Sequence, residues 1–218
     1  MTKNQSPELE DRLKNAVRDL EIPQEVMGKF LPYLEILHQK DIPTWKHSIR
    51  VGLLGKEIAR YTHRDPHALF LPGLVHDVGK AVIDSKVLQK TVGFDGEDKR
   101  QMDEHPIFGY KLLEGVAPFS ALVSYFHHYF GKNGYPKGNQ LPPVNVPFQE
   151  DTLHLARECA RLVSIADFWD AITHRENDKY SSGQPRLPTR EEAFDILLKN
   201  SGSRTYEVKE LYKGGILS

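Results

Sequence analysis

Apolar residues recur along this chain at steps of three and four, the spacing that lines one face of an α-helix. Leu9, Leu13, Val17 and Leu20 mark the first such face, opened by Ser6-Pro7-Glu8, a capping hydroxyl followed by proline and an acid. Ile22-Pro23 interrupts it, and a second helix is predicted through Val26, Phe30, Leu34 and Leu37, kinked at Pro32. Residues 1–40 are therefore expected to form a helical pair, packed on the core or at a dimer interface, ahead of a main domain over 41–218. After Ile42-Pro43-Thr44, the residues His47, Val51, Leu54 and Ile58 share one stripe. A helix starting at Asp65-Pro66 is predicted to bend at Pro72, reach His76-Asp77 and end at Gly79.

A loop holding Gly93 and Gly96 then leads to Glu104-His105-Pro106, which places His105 at a helix entrance. Residues 119–130 are predicted as a helix ending in His127-His128. The stretch from Gly131 to Gln149, with three Gly and four Pro, reads as loop. A long helix from Asp151 to His174 puts Ala156, Ala160, Val163 and Asp167 on its inward face. Residues 175–188 are irregular, Thr189 and Glu192 form a capping box for the next helix, and a short helix over 205–212 closes the chain. No segment alternates with the period of a strand. The fold class is all-α.

Composition narrows the setting. With 218 residues, 39% hydrophobic and 27% charged, the chain has the size and polarity of one globular domain. A single cysteine, Cys159, excludes an intrachain disulfide framework and fits a reducing cytoplasm. The N-terminus lacks the apolar core of a signal peptide, and no run approaches the roughly 18 apolar residues of a membrane helix. A cytoplasmic protein without membrane attachment is expected. Net charge is -1, so no global field draws in a nucleic-acid polymer. An anionic substrate would have to be met by local positive charge.

That charge has an obvious source. His47, His76-Asp77, His105, His127-His128 and Asp167 are seven potential metal ligands, each in or at the end of a predicted helix. A lone imidazole on an apolar face is usually a hydrogen-bonded core residue, and His47 alone would be read so. Asp77 is different, because an ionised carboxylate beside the apolar run from Leu69 to Val75 is costly to bury unpaired. Adjacent His127 and His128 point about 100° apart on a helix, so both can serve one ion only at a helix end. Imidazole with carboxylate suits iron, manganese, nickel or zinc. Five His and two Asp exceed one ion's coordination and match two ions sharing a carboxylate. Such a pair, about 3.5–4 Å apart, suits phosphoester cleavage. His38, His63, His67, His154 and His174 lack an acidic or His neighbour at productive helical spacing on an apolar face and read as solvated or structural. Cys159 reads as packing.

The ordered set His47-Ser-Ile-Arg50-Val51, His76-Asp77-Val-Gly79-Lys80, His105-Pro106-Ile-Phe-Gly109, His127-His128, Gly134-Tyr135-Pro136 and Ala166-Asp167-Phe-Trp-Asp170-Ala171 resembles the HD-GYP family, a branch of the HD-domain metal phosphohydrolases. The resemblance covers roughly residues 40–200. It implies an HD-domain helical bundle with a di-metal centre, iron or manganese in first place and nickel, zinc or magnesium as alternatives. The implied activity is hydrolysis of a cyclic dinucleotide, cyclic di-GMP foremost, by attack of a metal-bridging hydroxide. Carried over, His47, His76, Asp77 and Asp167 hold one ion, and Asp77 bridges to a second on His105, His127 and His128. Lys80 reaches a phosphate oxygen.

Some positions depart from the family pattern. Pro43 stands where some members carry a Glu for a third metal, so two ions are expected. Tyr129-Phe130-Gly131-Lys132-Asn133 replaces the usual acidic run after the His pair, and His174-Arg175-Glu176-Asn177-Asp178-Lys179 replaces an arginine-rich element. Arg175 and Lys179 are candidate phosphate contacts. Lys132, Lys137 and Tyr135 on the Gly131–Gly138 loop are candidate substrate contacts, or a dock for a diguanylate cyclase-type domain, or part of an ordinary solvated loop. Asp170 is expected to orient a ligand imidazole rather than transfer a proton, and Arg50 to brace a helix or a carboxylate. Another nucleotide substrate, or an inactive sensor module, remain the competing readings.

Overall fold

The computed structural model describes residues 5–137, 148–175 and 186–217. The helices run α1 (Gln5–Asp19), α2 (Gln24–Gly28), α3 (Leu31–Lys40), α4 (Ile42–Tyr61), α5 (His67–Val75), α6 (Ser85–Leu88), α7 (Gly96–Asp103), α8 (His105–Leu113), α9 (Pro118–Phe126), α10 (Glu150–His174), α11 (Arg190–Asn200) and α12 (Thr205–Lys213). Two 3₁₀ turns, Val78–Val82 and Gly202–Arg204, follow α5 and α11. Among the described residues there is no strand beyond one isolated bridge residue at Arg186. The all-α expectation holds.

The bundle is built around α4, α5, α9 and α10, which pack on one another, with α8 closing over α9 and the first 3₁₀ turn. Its centre is apolar and dry: Ile49, Ile58, Phe70, Leu74, Leu122 and Ile165 are all fully buried. Asp41 starts α4 by accepting from the Thr44 amide at 3.0 Å and the Thr44 hydroxyl at 2.6 Å. Pro43 sits in that first turn, where a missing N–H costs nothing. The α4–α5 crossing is unusually close. A Cβ on Gly73 would lie 2.9 Å from Gly52 Cα, and one on Gly52 would lie 2.6 Å from Leu74 Cδ2. Only glycines allow the two backbones to touch there, and that contact brings His47 and His76, either side of it, together.

Several predicted boundaries shift, each for a physical reason. Pro32 is not a kink; it occupies the first turn of α3, so the predicted single helix is α2 and α3, and the described residues before 41 hold three helices. Of these, α1 and α3 pack on α4, α3 also packs on the first 3₁₀ turn, and α2 packs on α3. The α5 helix stops at Val75, before His76-Asp77, and Gly79 lies inside the following turn rather than terminating a helix. A Cβ at Gly79 would meet the His105 carbonyl at 1.9 Å, so close approach to α8 is what requires glycine. The stretch between Gly79 and Glu104, expected as a loop holding Gly93 and Gly96, contains α6 and α7, the latter opened by an Asp95/Asp98 capping box. The Thr189/Glu192 capping box forms as predicted. No described helix is long and apolar enough to cross a membrane.

Candidate metal centre

Five elements deliver the seven candidate ligands. His47 projects from α4, and His76 and Asp77 from the joint between α5 and the 3₁₀ turn. His105 is the first residue of α8, His127 and His128 directly follow α9, and Asp167 lies on α10. α9 ends at Phe126, His127 is its C-cap with dihedrals still helical (φ −62°, ψ −25°), and from this helix end both consecutive imidazoles turn inward. His76, Asp77, His105 and His127 are fully buried, His47 and Asp167 nearly so, and His128 is 24% exposed, marking the open edge.

Asp77 stands at the middle. Its Oδ2 lies 3.5 Å from Nε2 of both His47 and His76, while its Oδ1 lies 3.2 Å from His105 Nε2 and 3.8 Å from His127 Nε2. Asp167 Oδ1 is 3.0 Å from His47 Nε2 and 3.6 Å from His76 Nε2, and its Oδ2 is 3.7 Å from His128 Nδ1. Two ligand groups result, His47–His76–Asp77–Asp167 and Asp77–His105–His127–His128, with donor atoms within 4.8 Å of one another in each. With metal–ligand bonds of about 2.0–2.2 Å, neighbouring donors on one ion stand roughly 3–3.5 Å apart, close to the separations found.

The tautomers give an independent test. His76 Nδ1 lies 2.8 Å from the Gly73 carbonyl, His105 Nδ1 2.6 Å from that of Met102, and His127 Nδ1 2.6 Å from that of Ser124. A carbonyl only accepts, so each Nδ1 carries the hydrogen and each neutral ring turns a bare Nε2 lone pair inward. His47 does the same through Asp170 Oδ2 at 2.7 Å. Lone pairs therefore face carboxylate lone pairs, and the buried His76 Nε2 and Asp77 Oδ1 have no hydrogen-bond partner. Unsatisfied acceptors converging in a dry site are costly unless a cation lies between them. The donor set fits divalent metal.

Ionisation agrees with this chemistry. Burial would raise the Asp77 carboxyl, but the Lys80 ammonium and nearby imidazoles outweigh it and hold it well below the usual range. Burial of Asp167 is likewise overcome by His47 and His76. Burial, with repulsion from His76 and His105, pushes His127 down to about 3, and burial with His127 beside it carries His128 well below the ordinary imidazole value. His76 differs: burial would lower it, but the Asp77 and Asp167 carboxylates outweigh burial and raise it in the metal-free site, so a cation binding there would displace its proton. Neutral imidazoles and ionised carboxylates are the forms that bind metal.

Around the ligands, Arg50 grips Asp170 with a two-pronged contact, Nε to Oδ1 at 2.6 Å and Nη2 to Oδ2 at 2.8 Å. Asp170 thus orients His47, as expected, and Arg50 braces Asp170. Lys80, 8% exposed, lies against Asp77 Oδ2. Tyr135 stacks on His128 with ring centroids 4.5 Å apart and planes at 27°. Of the other expected substrate contacts, the Lys132 side chain is exposed and Arg175 is a half-buried residue capping the end of α10. Lys179, and most of the loop after Lys137, lie outside the described residues. His174 is half exposed and belongs to neither ligand group; its Nδ1 lies 3.1 Å from Asp170 Oδ1, four residues back along α10, a contact that the sequence spacing could have suggested. Cys159 is packed in the core, its thiol pushed up to about 12 by burial. The carbonyls of Gly73, Met102 and Ser124 left no trace in the sequence, since any residue type supplies one.

Comparison with known proteins places this arrangement in context. The chain is 27% identical over 190 residues to a cyclic di-GMP phosphodiesterase of Thermotoga maritima, covering 82% of this chain and 46% of that protein. It is 24% identical over 156 residues to 3'3'-cGAMP-specific phosphodiesterase 1 of Vibrio cholerae, covering 69% and 33%. It is 28% identical over 126 residues to the cyclic di-GMP phosphodiesterase response regulator RpfG of Xanthomonas campestris, covering 56% and 30%. The chain thus spans less than half the length of each of these relatives. The HD domain family model matches residues 44–173, from the first turn of α4 to the end of α10, a stretch that holds all seven candidate ligands. By that match, over more than half its length, the chain belongs to the HD domain family.

Proposed function

We propose that this chain is a metal-dependent phosphodiesterase that hydrolyses a cyclic dinucleotide, cyclic di-GMP before others, using two divalent ions, iron or manganese in first place. The observation that carries this reading is Asp77, whose two oxygens face two different imidazole groups in the manner of a bridging carboxylate. The relatives that act on cyclic dinucleotides support the substrate class. Two ions are favoured over three because Pro43, in the first turn of α4, supplies no ligand.

Divalent ions bound here would supply Lewis acidity and a water acidic enough to ionise near neutral pH. The protein's own part is orientation and charge. Four imidazoles are locked by their Nδ1–H bonds, so the site is organised before anything binds. Lys80 fixes a positive charge beside Asp77, where it can meet charge developing on a phosphoryl oxygen. Tyr135, stacked on His128 at the open edge with the Lys99 ammonium 5.2 Å from its ring centroid, is the candidate contact for the substrate there, with Lys132, Arg175 and Lys179 as further phosphate contacts. Burial of the centre keeps these interactions in low dielectric, where they count for more.

The test is elemental analysis of anaerobically purified protein with turnover on cyclic di-GMP, 3'3'-cGAMP and a mononucleotide. Two ions per chain and cleavage of a cyclic dinucleotide are expected, with Asp77→Asn folded, metal-poor and inactive. Metal uptake without any turnover would instead make the chain a sensor, and mononucleotide cleavage alone would reject the substrate class.

A further inference from the structure

Arg204 is an unusual side chain for a soluble protein. It is 3% exposed, yet the acceptors its guanidinium bonds to are neutral: Ser201 carbonyl at 2.9 Å, Ser164 Oγ at 2.5 Å and Asn200 carbonyl at 3.4 Å. Burial pulls its guanidinium down to about 10. Burying a cation without a contacting carboxylate is expensive and is offset only by a full set of well-aimed acceptors. Its location explains what that cost secures.

Ser164 lies on α10, one turn before Asp167. The Asn200 carbonyl also accepts from the Lys132 amide at 3.3 Å, tying down the loop that follows His128. A Cβ on Gly131 would lie 3.7 Å from Arg204 Nη2, so the guanidinium lies beneath that loop. Gly202, with φ of +58°, lets its turn approach so near that a Cβ would stand 2.7 Å from the Phe130 carbonyl. The loop then turns back, the Tyr135 amide bonding to the His128 carbonyl at 3.3 Å, and seats Tyr135 on the His128 ring. Arg204 therefore ties together the two elements whose ligands meet at the open edge, His128 and Asp167, 3.7 Å apart.

We infer that Arg204 is a positioning residue for the His128–Asp167 edge of the metal centre, holding α10 and the Gly131–Tyr135 loop in register so that the His128 side of the site binds its ion. This rests on the two-ion reading above. Its rigid fork reaches several acceptors at once, which a lysine cannot copy.

The test compares wild type with Arg204→Lys, which keeps charge and stem, and with Ser164→Ala, which removes one acceptor and very little volume. Manganese titration calorimetry and amide hydrogen exchange are both read on the full chain. In Arg204→Lys one of the two ions is expected to lose about tenfold in affinity while the other changes less than threefold, the range seen when partners of metal ligands are altered. Exchange at Lys132 and Tyr135 should quicken, with α4 unchanged. Ser164→Ala should move the same readouts in the same direction by less. Equal weakening of both ions with faster exchange throughout would mark a merely structural role and overturn the inference, as would no change in either readout. Should wild type itself bind fewer than two ions, the two-ion reading fails first.

Discussion

Asp170→Asn isolates what orientation contributes at the centre, because it removes one charge and no volume. Asp170 is 3% exposed and accepts three bonds: from His47 Nδ1–H at 2.7 Å and from the Arg50 fork at 2.6 and 2.8 Å. Burial alone would raise its carboxyl, but His47 and Arg50 bring it far below the usual range, so it is ionised wherever the protein is folded. An asparagine in the same place can offer its oxygen either to His47 or to Arg50. Presented with the amide NH₂ instead, His47 would take the opposite tautomer and turn an N–H toward the metal. Loss of such a partner typically costs about 10–100-fold in metal affinity, which is roughly 1.4–2.8 kcal/mol. Breaking a buried ion pair costs about 3–5 kcal/mol; Arg50 is 21% exposed, so roughly 2 kcal/mol of stability is the discounted figure here.

Calorimetric manganese titration of the variant should therefore show one ion weakened by at least tenfold, on the His47 side. The ion on the His105–His127–His128 side should stay within threefold, since none of those rings touches Asp170. Urea melts of the metal-free protein report the stability loss separately. The reasoning is refuted if both ions weaken equally, or if neither weakens while the melt shifts, because then Asp170 would brace the helices without orienting His47.

Two further outcomes follow from burial. His127 is held neutral to about pH 3, whereas an unfolded imidazole titrates near 6.5; the unfolded chain takes the proton first, so metal-free protein should lose stability as pH falls from about 6.5 toward 3. The slope from this group is about 1.4 kcal/mol per pH unit, visible in urea melts at pH 7, 6 and 5, and His127→Gln should make the pH dependence shallower, leaving the part that the lowered His105 and His128 contribute. Cys159, with its thiol pushed up to about 12, should resist a thiol-specific disulfide reagent in the native protein and react fully once unfolded; rapid native reaction would show that α10 does not pack as described.

Much of the fold was legible because helices announce themselves through periodicity and caps. The stripe from His47 to Ile58 became α4, the run to His174 became α10, and Thr189 with Glu192 formed the expected capping box. The failures share a cause. Pro32 was read as a kink because apolar spacing ran past it, yet a proline tolerates a first turn better than an interior. Short helices such as α6 and α7 carry too few apolar positions to show a period, though Asp95 and Asp98 spelled a cap. Gly79 reads like a helix terminator in one dimension, and only the carbonyl of His105, far along the chain, reveals its purpose.

The candidate ligands are legible for a different reason: chemistry that is costly to bury advertises itself. Asp77 beside an apolar run calls for a cation as its partner, and consecutive His127 and His128 call for a helix end, which α9 provides at Phe126. What sequence could not supply is the direction of each lone pair. Three imidazoles take their orientation from backbone carbonyls three residues upstream, a relation fixed by local helical geometry and independent of side-chain identity. The fourth takes it from Asp170, 123 positions away. An arrangement set mostly by backbone should tolerate sequence change around the ligands, whereas the His47 corner, resting on a single side-chain triad, should not. That asymmetry makes the Arg50–Asp170–His47 corner a place where a single substitution should weaken one bound ion without the other.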